Sequence, residues 1–244
     1  MTVMSDVDTD TDSAPTRSPR AQRLDRRFEF WEAVILAIAT VLTAWSAFQS
    51  TKWSGHQANS YSEAAAKRTE ASIAATEAGA LTVIDVQVYL QWLAAINAEE
   101  LAAGSGGLED DGEYTPDPTT LSGFLFERFR DEFRPALEAW LDQDPLENPD
   151  AADTPFALPE YTLEPAERSE DLSRTADQSS ATARSANQRS DNYVLVTVLF
   201  ASVLFFAGMS SKMDTLRARV LLISLALTVM GTGVVFLIIF PKLV

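Results

Sequence analysis

The chain has 244 residues and a formal charge of -16, from 35 acidic against 19 basic side chains. It therefore lacks the clustered Lys and Arg that neutralise phosphates, which argues against a nucleic-acid partner. With no cysteine and a single histidine, it has no disulfides, thiolate metal sites, thiol nucleophiles or multi-histidine metal centre. The hydrophobic share of 46% is ordinary, but the apolar residues are bunched, and the bunching carries most of the reading.

Residues 1–29 mix acids with arginines and read as a disordered tail. From Ala33 to Phe48 there is no charged residue, and with the flanking Phe30, Trp31 and Gln49 the segment 30–49 reaches the roughly 20 residues that cross a bilayer core. A cleaved signal peptide fits less well. The preceding tail is long, and Trp45 and Phe48 crowd the place where a small-residue cleavage site should lie.

After this span, Ser54 to Ala103 has no proline and is rich in Ala, Glu and Gln, which predicts a long helix that continues the span. A stripe at three-four spacing runs through Ala64, Ala71, Ala74, Ala78, Leu81, Val88, Trp92 and Ala95, with Lys67 and Asp85 as expected interruptions. Gly104 to Thr119 and Asp142 to Pro165 read as solvated connections because they combine Gly or Pro with acids. Between them Phe126, Phe129, Phe133, Leu137, Trp140 and Leu141 recur at helical spacing, and Pro135 should divide them into two short helices. Their aromatic face is expected to cover Leu81, Ile84, Val88, Trp92 and Ile96, a partner or the membrane surface being the alternative.

A second long helix should begin near Pro165, with a seam through Leu172, Ala176, Ser179, Ala183, Ala186, Ser190, Tyr193, Thr197, Phe200, Leu204 and Ala207. Its small residues suit close antiparallel pairing with the first long helix, homo-oligomerisation being the rival use. This helix becomes a second span, 192–210, with no acid or base from Tyr193 to Met209. A short loop, 211–219, leads to a third span, 220–240, and a short tail, 241–244. The fold class expected is an all-α membrane protein: three transmembrane helices, an antiparallel helical stalk and a small helical head.

Orientation follows from positive charge on short segments. Arg17, Arg20, Arg23, Arg26 and Arg27 in the tail, with Lys212, Arg217 and Arg219 in the loop, oppose only Lys242 at the C-terminus. The N-terminus is then cytoplasmic, and residues 50–191 lie outside with 27 acids and 10 bases, a net of -17.

Motifs for chemistry are sparse. The acidic run Glu109, Asp110, Asp111, Gly112, Glu113 fails the EF-hand pattern, because Gly107 and Pro118 fall where the first and last carboxylates belong. Gly104, Gly106 and Gly107 sit in that acidic loop and match no phosphate-binding pattern. A serine hydrolase would need His56 as base with Ser50, Ser54 or Ser60 and Asp191, but no nucleophile-elbow sequence is present. The better candidate site is an interaction collar where both long helices leave the membrane. It is formed by Lys52, Trp53, His56, Gln57, Asn59 and Tyr61 on one side, and by Asn187, Arg189, Asp191, Asn192 and Tyr193 on the other. The same residue types also make an ordinary interfacial belt. No catalytic residue, cofactor or metal site is assigned.

The string Ala44-Trp45-Ser46-Ala47-Phe48-Gln49-Ser50-Thr51-Lys52-Trp53-Ser54-Gly55, followed by Tyr61 and an alanine-rich helix, resembles a group of uncharacterised prokaryotic membrane proteins. Those proteins have one N-terminal span, a helical soluble segment and a C-terminal hairpin. The likeness is strongest over residues 30–75, weaker over the last 55, and implies architecture only. The expected role is a non-enzymatic membrane-anchored interaction or structural protein of the plasma (inner) membrane, with the lipid bilayer and either an unknown protein or a homo-oligomer as partners. An accessory transporter or channel subunit, or a sensor acting through a partner, is the alternative.

Overall fold

The computed structural model describes residues 19–103, 114–145, 148–213 and 215–243. The acidic run 109–113 and the glycines at 104, 106 and 107 lie outside the described residues. Regular structure among the described residues is helical, without strands: α1 (Pro19–Ala103), α2 (Leu121–Phe126), α3 (Arg134–Leu141), a 3-10 turn (Pro155–Ala157), α4 (Glu164–Ser210) and α5 (Leu216–Ile239). Three helices, α1, α4 and α5, are long and apolar enough to cross a membrane. Helix α1 continues unbroken from the first apolar segment into the alanine-rich one, and it starts at Pro19, inside the stretch read as an irregular tail. Helix α4 starts with Pro165 in its first turn, beside Glu164 and Glu167, whose charges suit a helix N-terminus. The chain divides into two compact units: Met1–Gln57 with Arg184–Val244, and Ala58–Ala183.

In the second unit α1 and α4 run antiparallel. Arg68 donates to Ser180 at 3.0 Å, Ser169 to the Ala71 carbonyl at 2.9 Å, and Arg168 to Glu77 at 2.7 Å. Between them lie the buried alanines 64, 71, 74 and 78 of α1 and Ala176 and Ala183 of α4. Methyl-sized side chains bring helix axes to about 8 Å. The buried serine is Ser180, not Ser179, which is half-buried. At a period of 3.6, adjacent positions straddle a seam, and the neighbouring helix decides which is covered.

Farther along α1 the stripe changes to large residues, and an aromatic core forms from Tyr89, Trp92, Ile96, Phe129, Phe133, Leu137 and Trp140. The aromatic face around α2 and α3 thus covers α1, as its spacing implied. Two details differ from the sequence expectation. Ile84 is exposed and Leu81, half-buried, lies outside the cluster, which takes in Tyr89 instead. The segment read as a solvated connection after Asp142 contributes Phe156, stacked on Phe133 at 4.9 Å, and Tyr161, edge-on to both. Trp140 secures that segment by donating its indole N–H to the Ala152 carbonyl at 2.7 Å. Phe156 and Tyr161 are half-buried against this core, and the adjoining Pro155 is fully buried.

Asp85 is no interruption of the stripe. It is 2% exposed and accepts from Arg130 and from the Tyr161 hydroxyl, each at 3.0 Å, so one carboxylate ties α1 to the segments before α3 and α4. Burial pushes the Asp85 carboxyl above the usual aspartate value, outweighing the Tyr161 hydroxyl and the Arg130 guanidinium, which pull it down. A carboxyl raised by folding stabilises the fold most below its ordinary value of 3.8 and loses that contribution as pH climbs through the raised value. The unfolding temperature of the wild type relative to Asp85→Asn in detergent is therefore expected to fall as pH rises from below 3.8 toward neutral. A relative stability that rises over this window would show that the Arg130 pairing outweighs burial.

Candidate functional site: two polar locks among the apolar helices

Within the first unit α4 runs antiparallel to α1, and α5 runs alongside α1 in the same direction. The seam buries Ala186, Ser190, Tyr193, Val196, Phe200, Val203, Ala207 and Ser210 on α4. Thr197 and Leu204, expected on it, are half-buried neighbours. Helix α5 packs Gly233 against Phe200 of α4. A Cβ there would lie 2.8 Å from the Phe200 ring, so only glycine leaves room for the aromatic side chain.

At one end of this bundle Glu32, 3% exposed, joins all three helices. Its carboxylate accepts from Arg219 twice, from Nε at 2.9 Å and from a terminal nitrogen at 3.2 Å, and from the Ser210 hydroxyl. A buried carboxylate would be costly alone. Bidentate guanidinium pairing and a third donor offset its desolvation.

The other end carries a second lock, in which the chain after α5 folds over α1 and α4. The Gln49 carboxamide, fully buried, takes the Leu243 backbone at both polar groups: its N–H donates to the carbonyl at 3.1 Å, and its oxygen accepts from the amide at 3.0 Å. Trp53 donates its indole N–H to the Pro241 carbonyl at 3.1 Å, and the Tyr193 hydroxyl donates to the same oxygen at 3.2 Å. Phe240 sets its ring edge-on to Tyr193. Beside this strap the Ser190 hydroxyl donates to the Ser50 carbonyl at 3.0 Å and lies within hydrogen-bond distance of the Ser50 and Ser54 hydroxyls, at 3.0 Å and 3.1 Å, joining α1 to α4. Glu32 and Gln49 on α1, like Ser210 and Tyr193 on α4, are about 26 Å apart at the 1.5 Å rise per residue of a helix, close to the thickness of a bilayer's hydrocarbon core.

The expected collar is only partly assembled. Trp53 is buried, with the Arg189 guanidinium 4.5 Å over its ring and the His56 ring at its edge. Asn187 instead bonds Asp191 along α4, and Asn192 accepts from Gln188 in the same way. Lys52 and His56 are exposed, and Gln57 is half-buried. Asn59 and Tyr61 belong to the other unit, where both are exposed. The hydrolase arrangement does not form, since Ser54 bonds Ser190 and Asp191 bonds Asn187. No group of three or more metal-binding side chains occurs among the described residues. Sequence reasoning missed Gln49 as a site residue, and missed Pro241 and Leu243 entirely. The only signal was a carboxamide closing an otherwise apolar run.

If the carboxamide and the strap act as one unit, Gln49→Ala and deletion of residues 243–244 remove the same two hydrogen bonds. Each is expected to lower stability in detergent by about 2 kcal/mol, from two lost buried hydrogen bonds, and the combined variant should lose little more. Thermal unfolding of the four proteins measures this cycle, and losses that simply add would dissolve the strap as a unit. No protein-family model, curated protein or solved structure matches this chain, so the chemistry of the two locks is the basis for assigning it a role.

Proposed function

We propose that the protein is a membrane-anchored structural or interaction protein without catalytic activity of its own, which holds an acidic helical module outside the cytoplasm of the plasma (inner) membrane. The observation that carries this reading is how the polar groups in the apolar bundle are used. Glu32, Arg219 and Ser210 satisfy one another, as do Gln49, Trp53, Tyr193 and the strap. Between these locks the helices hold no acid or base. Intramembrane pathways for ions or protons are built on such groups, despite their cost of about 2.5 to 3.5 kcal/mol or more at the bilayer centre. Thr40, Thr43, Ser46, Thr228 and Thr232 donate to the carbonyl one turn back on their own helices, which supports an anchor more than a conduit.

The N-terminus is assigned to the cytoplasm, from the arginines of the first 29 residues together with Lys212, Arg217 and Arg219. Residues 50–191, the strap and the second lock then share the outer side. Because the chain has no native cysteine, single cysteines report this directly. A cysteine at Thr115 should react with a membrane-impermeant thiol reagent in intact cells, and one at Ser13 should be shielded; the reverse pattern would invert the topology.

The anchor reading also predicts that purified protein in liposomes passes no protons or cations under an imposed gradient. A reproducible flux abolished by Thr228→Val or Thr232→Val would transfer the protein to the channel class.

A further inference from the structure

The long second-unit portion of α1 has a face that its own chain leaves uncovered. Ile73, Val83, Leu90 and Leu101 are 57% to 88% exposed, although this unit holds most of the chain's acids and Tyr89, Trp92 and Ile96 of the same helix are packed into the aromatic core. These four share one strict heptad register. The positions between them in that register are Thr76, Ala80, Gln87, Ala94 and Asn97, all exposed, and it carries no charge from Ala66 to Leu101. Over this length α1 spans about 52 Å. The face is opposite the buried stripe of Ala64, Ala71, Ala78 and Asp85, which is committed to the unit's own core.

We infer that this seam binds a second copy of the chain, forming a parallel two-stranded coiled coil outside the membrane. Three features select an identical partner. First, the polar groups on the seam are the Thr76 hydroxyl, which donates to the Ser72 carbonyl of its own helix, and the carboxamides Gln87 and Asn97. A carboxamide carries both donor and acceptor, so each is satisfied by its own counterpart, and such a residue in a seam fixes register in a dimer. Second, in a parallel pair the flanking acids face small neutral residues: Glu70 lies opposite Ala65, and Glu77 opposite Ser72. Two acidic domains can therefore meet along this line without opposing like charges. Third, small residues at Thr76, Ala80 and Ala94 allow close approach, while Ile73, Val83, Leu90 and Leu101 supply the apolar contacts. The parallel direction rests on the proposed anchoring, which gives every copy the same orientation.

The test uses the full chain in native membranes. Cysteines introduced singly as Ile73→Cys and Leu90→Cys should give disulfide-linked dimers under mild oxidation, at a yield severalfold above Ala75→Cys, which is exposed but off the register. The charge variant Val83→Glu/Leu90→Glu should convert the purified protein from dimer to monomer by light scattering, with helicity unchanged because both positions are exposed in the single chain. Equal cross-linking at Ala75→Cys, adducts with a different protein, or a mass unaffected by the two glutamates would each overturn the seam. Failure of the anchoring reading shows separately, as release of the wild-type chain from membranes by alkaline carbonate.

Discussion

The structure depends on the constraint that polar groups among apolar helices must find partners within the protein. Three apolar helices leave a large lipid-like surface, and attraction between such surfaces in an apolar medium is weak. What distinguishes one arrangement of α1, α4 and α5 from another is therefore polar. Glu32 has donors only when Ser210 and Arg219 are beside it, and Gln49 is satisfied only when the chain beyond α5 returns across α1. Each lock uses groups from all three helical segments, so a slip of one helix by a turn would break both. The Phe200–Gly233 contact adds a steric register between them, where a side chain on α5 would collide.

In the second unit apolar burial takes over. Here α1 changes character along its length, from alanines against α4 to Tyr89, Trp92 and Ile96 against the aromatic cluster. Small residues permit close helix pairing but bury little area, while each large side chain contributes roughly 1.5 to 3 kcal/mol. The aromatic cluster is accordingly the stable part of this unit. It recruits Phe156 and Tyr161 from a stretch whose prolines and acids otherwise suit solvent. Asp85 sits where the two regimes meet, and its pairing with Arg130 and Tyr161 makes a buried charge tolerable on a stripe that is otherwise apolar.

Helical class and the three apolar segments were legible because each depends on local composition and period, whereas the expected division at Pro135 falls earlier, at 127–133, and Pro135 lies in the first turn of α3. The seam of α4 was legible to within one residue, since Ser180, Val196 and Val203 lie next to the positions the spacing singled out. The collar was less so. Residues at one depth on two helices share a level but not a direction, and Asn187, Asp191 and Asn192 found partners one turn away on α4.

Sequence by itself determined what the helices are: length, apolarity and the absence of charge from Ala33 to Phe48 and from Val220 to Phe240 follow from side-chain chemistry and the 1.5 Å rise. Tertiary structure alone decided what the isolated polar residues do. Gln49 meets Leu243, and Glu32 meets Arg219, across nearly two hundred residues of chain. A hydrogen-bond partner is chosen by proximity in space, and no local pattern encodes proximity between segments so far apart. Residues such as Pro241 and Leu243 offer only backbone groups, so their side chains carry no mark of the contact they make.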